Sequence, residues 1–173
     1  MAKTVRYRVR QFFRALTARV SKEEVEQAIG ILTAEAQVLF RRQAAQDQRH
    51  ALAVHRALSQ AGHTNPHLLA AALLHDAGKA EVRLPAYQRA VIVLLDRFAP
   101  RLLDRLSRGE PRFWNQPFVA HARHPEAGAR RAQEAGCSPL TATLIRRHQD
   151  RPAGGQTEED RLLAALQAAD NLN

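Results

Sequence analysis

Along this chain the apolar positions recur every three or four residues, and no stretch sustains the strict alternation of a half-buried strand. Residues 1–20, MAKTVRYRVRQFFRALTARV, set Val5, Val9, Phe12, Leu16 and Val20 on one helical face and arginines on the others. Ser21 followed by Glu24 has the form of a capping box, so a second helix is predicted from about residue 22 to 43. Asp47 is a candidate cap for a third helix, whose stripe is His50, Ala51, Val54, Leu58 and Ala61 and whose stop is Gly62. Asn65-Pro66 opens HLLAAALLHDA, which Gly78 is expected to end. Pro85 opens AYQRAVIVLLDRF, and Pro100 separates it from RLLDRLSR. Three breakers make a loop of GEPRFWNQPF, residues 109–118. Pro125 is then expected to start a helix that Gly136 stops. Ser138-Pro139 caps LTATLIRRHQD, RPAGGQ reads as a turn, and Thr157 with Asp160 caps the last helix, RLLAALQAADNLN. The pattern predicts an all-α fold, a single compact bundle of about six to nine helices. Residues 1–20 form its basic amphipathic N-terminal helix and residues 21–173 the domain proper.

Composition narrows the class. A chain of 173 residues, 45% apolar and 25% charged, can bury a sizeable core in one domain. Aromatics are only 5%, so the core must be mostly Ala, Leu and Val, which favours helices. No run approaches the ~18 apolar residues of a membrane span, and arginines interrupt each apolar run near the start, unlike a secretory signal. Cys137 is the single cysteine, which excludes an internal disulfide and a Cys-based zinc site; a cytoplasmic location is expected. The net charge of +9 is uneven, with seven cations and no acid in residues 1–22. Such a segment suits contact with nucleic acid or an anionic membrane, and equally suits an ordinary surface helix with solvated arginines.

Candidate chemistry lies where apolar helices end on polar residues. LLAAALL runs into His75 and Asp76, a pair that costs free energy to bury unless something satisfies it. A metal ion would do so, taking an imidazole nitrogen and a carboxylate oxygen. His50 lies on the apolar stripe of the preceding helix, Asp170 ends LLAALQAAD, and His124 and His148 each border a predicted helix.

Taken in order, RHALAVHRAL, LLAAALLHDAGK, HPEAGARRAQEAG, IRRHQD and LQAAD resemble the HD-domain metal-dependent phosphohydrolase superfamily over about residues 47–173. HDAGK has the HD-x-G-K form. The resemblance implies that His50, His75, Asp76 and Asp170 hold one metal ion. It further implies that Asp76 can bridge to a second ion held by His124 and His148, and that Lys79 meets the substrate phosphate. Arg147 and Arg151 are further candidates for phosphate, with Arg83 and Arg146 nearby. Oxygen and nitrogen donors suit Mn, Fe, Co, Ni, Zn or Mg. One ion is expected and a second is left open, because Gln149 stands where many relatives that cleave cyclic di-GMP carry another His. The GYP loop of those relatives is absent as well. His121, three residues before His124, is an alternative ligand; His55, His63 and His67 match no motif position and read as surface or packing residues. The implied activity is hydrolysis of a nucleotide or related phosphoester by attack of a metal-activated water, with Asp76 and Lys79 as the catalytic residues. The alternative is a non-catalytic, metal-containing module that senses nucleotides or mediates an interaction. A homodimer is left open.

Overall fold

The structure, a computed structural model, describes residues 21–81, 85–150, 155 and 157–173. The helix expected over residues 1–20, Arg83 and Arg151 lie outside them. Among the described residues the fold is all-helical. In chain order the elements are α1 (Lys22–Ile29), α2 (Ala34–Arg42), α3 (Ala45–Gln60) and α4 (Pro66–Leu74), then a short 3-10 helix (Ala77–Glu81). They continue as α5 (Ala86–Phe98), α6 (Pro100–Leu106), α7 (Gln116–Glu134), α8 (Pro139–Arg147) and α9 (Glu158–Leu172).

Side-chain caps set several of these starts. Ser21 accepts from the Glu24 N–H, Asn65 from His67 and Leu68, Ser138 from Thr141, and Thr157 from Asp160. Gly62 and Gly136 follow α3 and α7 with φ of 87° and 79°, the left-handed conformation that glycine adopts without penalty.

Four sequence expectations are corrected. The helix expected over residues 22–43 is two helices, because Gly30 ends α1 and Thr33 caps α2 by accepting from the Ala36 N–H. Asp47 does not cap α3; the helix begins two residues earlier, and Asp47 sits in its first turn, where the helix dipole favours an acid. Pro125 does not start a helix: α7 begins at Gln116, with Pro117 in its first turn, and runs through Pro125. Finally, α4 ends at Leu74 with His75 as its C-cap, and Gly78 lies within the 3-10 helix rather than stopping α4.

The core explains where the site can be. In α4, Leu68, Ala70, Ala71, Ala72, Leu73 and Leu74 are all buried, so this helix is covered on nearly every side. α3, α8 and α9 pack around it, and α7 packs against α8 and the 3-10 helix. Phe40, Ile29, Leu58, Leu144, Ile145 and Leu166 are among the other fully buried side chains. A central helix surrounded in this way must deliver whatever follows its last turn into the interior.

Candidate metal centre

His75 follows the last turn of α4, and His148 follows the last turn of α8. The final carbonyls of a helix lack intrahelical N–H partners, and these two imidazoles supply donors. His75 Nδ1 donates to the Ala72 carbonyl at 2.9 Å, and His148 Nδ1 to the Ile145 carbonyl at 2.7 Å. His124, within α7, donates from Nδ1 to the His121 carbonyl. Whenever such a ring is neutral, its Nδ1–H bond leaves Nε2 as the lone-pair nitrogen, the arrangement a metal ligand needs. Two buried glutamines close the same helix ends: Gln43 Nε2 donates to the Leu73 carbonyl at 3.0 Å, and Gln167 Nε2 reaches the carbonyls of His148 at 3.2 Å and Asp150 at 2.8 Å.

The three Nε2 atoms converge on Asp76. His124 Nε2 and His148 Nε2 lie 3.4 and 3.9 Å from Oδ1, while His75 Nε2 lies 3.6 Å from Oδ2. These are electrostatic contacts, too long for good hydrogen bonds. His75 Nε2 and His124 Nε2 are buried with no hydrogen-bond partner among the described residues. On the far side of His75, Asp170 Oδ1 is 3.6 Å from its Nε2 and accepts a 2.7 Å contact from His50 Nε2. Lys79 Nζ donates to Asp76 Oδ2 at 2.6 Å and remains about one-third exposed. Two groups have ligand atoms close enough for one ion each, His50 with His75 and Asp76, and Asp76 with His124 and His148.

Electrostatics agrees with the geometry. Burial alone would raise the Asp76 pKa, but His75, Lys79 and His124 hold it well below the usual carboxylate range. Asp170 is likewise lowered, against its own burial, by His50 and His75. Burial works to lower the His75 pKa, and the Asp76 and Asp170 carboxylates outweigh it. His148 is pushed down to about 3 by burial and by the neighbouring His75. The cluster thus presents anionic oxygens and a neutral, buried imidazole, the donor chemistry of a divalent cation site.

Gly78 fixes the two halves together. A Cβ there would lie 2.0 Å from the His124 carbonyl oxygen and 2.7 Å from the Gly128 nitrogen. Only glycine lets the 3-10 helix that follows Asp76 press on the α7 backbone that carries His124. Beside this contact, Gly78, Val119, Ala120, Arg123 and His124 border a cavity of about 190 Å³.

The structure therefore gathers His50, His75, Asp76, His124, His148 and Asp170, and sets Lys79 against them. His121 contributes its carbonyl to His124, its ring 5.5 Å from the His124 ring. Arg147 is engaged by Glu159, Asp160 and Asp150, and Arg146 by Glu126. His67 joins the starts of α4 and α8 through Ser138 Oγ at 2.9 Å. Sequence reasoning missed Gln43, Gln167 and the structural part played by Gly78 and Gly128. Gly128, in HPEAGA, was the available signal, since glycine inside a helix commonly marks a close approach. Among the described residues no helix is long and apolar enough to cross a membrane. No family model, curated protein or solved structure matches the chain.

Proposed function

We propose that the protein is a metal-dependent phosphohydrolase acting on a nucleotide or related phosphoester. One observation carries the reading: two buried imidazole nitrogens, His75 Nε2 and His124 Nε2, face a shared carboxylate without a hydrogen-bond partner. Leaving such atoms dry costs about 1–3 kcal/mol each, which a bound cation would recover. His50, His75, Asp76 and Asp170 would hold one divalent ion, and Asp76, His124 and His148 a second. Mn, Fe, Co, Ni, Zn and Mg all suit this donor set. Bound there, such ions polarise a phosphoryl oxygen and acidify a water. The chain's own residues do the rest. Asp76 is the carboxylate common to both groups. Lys79, partly exposed and already in contact with Asp76, can turn its ammonium to an arriving phosphate and stabilise charge developing there. The cavity beside His124 offers room for the group esterified to that phosphate. The ordered resemblance of His50, His75-Asp76, Lys79, His124, His148 and Asp170 to the HD superfamily supports the same reading.

The test is turnover of p-nitrophenyl phosphate and bis-p-nitrophenyl phosphate across a divalent metal panel. Activity that a chelator removes, metal restores, and Lys79→Ala lowers at least about tenfold is the expected outcome. Activity untouched by chelator, or absent with every metal and both esters, would overturn it.

A further inference from the structure

His75, His124 and His148 share one device, a hydrogen bond from Nδ1 to the carbonyl three residues earlier. For His75 and His148 that carbonyl is available because the helix ends there. His124 has no such excuse, since it sits inside the 19-residue α7. In an unbroken helix the His121 carbonyl would accept the N–H of residue 125. Residue 125 is proline: it has no N–H, and its ring crowds the carbonyl four residues back, which is that of His121. The helix cannot simply end at His124, because Gly128, Ala129 and Ala132 continue it as part of the buried interior.

We propose that Pro125 is a positioning residue. By vacating the His121 carbonyl in mid-helix, it gives His124 the local environment of a helix end. His124 then donates from Nδ1, and its Nε2 lone pair is held toward Asp76. The inference rests on the reading of His124 as a metal ligand, but its geometric part can be judged separately.

The experiment compares the wild type with Pro125→Ala, which restores the N–H. Two readouts are taken on chelator-stripped protein at one neutral pH: the His124 tautomer by ¹⁵N NMR, and the affinity for Mn²⁺ by calorimetry. The wild type should show His124 protonated at Nδ1. The variant should stay helical and melt no lower than the wild type, since alanine completes the α7 ladder. Its His124 should lose the single tautomer, and Mn²⁺ affinity at the group containing His124 should fall about tenfold, the usual scale for a residue that orients a ligand. A shifted tautomer in a protein whose wild type binds no Mn²⁺ would support the positioning role and refute the metal reading. An unchanged tautomer, or a variant that loses its helical signal, would overturn the role of Pro125 whatever the metal does.

Discussion

The His50–Asp170 side of the centre and the His124–His148 side share Asp76 but meet different conditions. His50 and Asp170 are 27% and 28% exposed, and their 2.7 Å contact satisfies both. The His124 and His148 side chains are 0% and 2% exposed, and their nearest carboxylate oxygen is 3.4 Å or more away. The first side can close on itself without a cation. The second is not closed in this way: His124 Nε2 is buried without a hydrogen-bond partner among the described residues, and the low dielectric makes that state costly. A cation must compete for His50 and Asp170 on one side and only fill a place on the other.

The comparison breaks most completely at Asp76, the element common to both. Asp76→Ala should retain less than about a tenth of the wild-type Mn²⁺ by elemental analysis, and should lose phosphoester turnover with it. Wild-type metal content in that variant would mean that the two sides do not share a carboxylate.

Next comes the joint between the sides. Gly78→Ala forces a methyl onto the His124 carbonyl and should cost about 3 kcal/mol in urea unfolding. Gly128→Ala, whose nearest neighbour is 3.1 Å away at the Gly78 nitrogen, should cost less. Equal midpoints for the two variants would show that the close approach is not rigid.

The sides can then be told apart by what metal contributes to stability. At a Mn²⁺ concentration of 100 times Kd, each occupied site should add about 2.7 kcal/mol to the wild type over stripped protein. His124→Ala should lose more of that gain than His50→Ala, because His50 gives up its contact with Asp170 to bind an ion and His124 gives up nothing. Thermal melts with and without Mn²⁺ measure both; equal losses would erase the distinction. The smallest effect is expected at the glutamines that close the helix ends. Gln43→Ala and Gln167→Ala should each lower stability by about 1 kcal/mol in the same melts, with the stripped protein affected as much as the loaded one.

How far the sequence shows all this depends on whether the physics is local. Asn65-Pro66, Ser138-Pro139 and Thr157 announce helix starts because a cap bonds within three residues of itself. The break at Gly30 to Thr33 is equally local, a glycine followed by a Thr cap, but Ile31 and Leu32 carry apolar positions across it. Pro125 misled because a proline at a helix start and one inside a helix look alike until the partner of the His121 carbonyl is known. In the site, His75 and Asp76 stood out as polar residues ending an apolar helix. The contact of His50 with Asp170, 120 residues apart, and the closure of α8 by Gln167 exist only once the helices pack. Gly78 belongs to the same class: its need for a bare Cα comes from the α7 backbone and not from its own turn.

The most direct measurement is a calorimetric titration of chelator-stripped wild-type protein with Mn²⁺, read for stoichiometry. Each group of ligands around Asp76 should take one ion, giving saturation at two per chain, with His148→Ala reducing it to one. No saturable binding, or the same stoichiometry in His148→Ala as in the wild type, would contradict a paired centre built on Asp76.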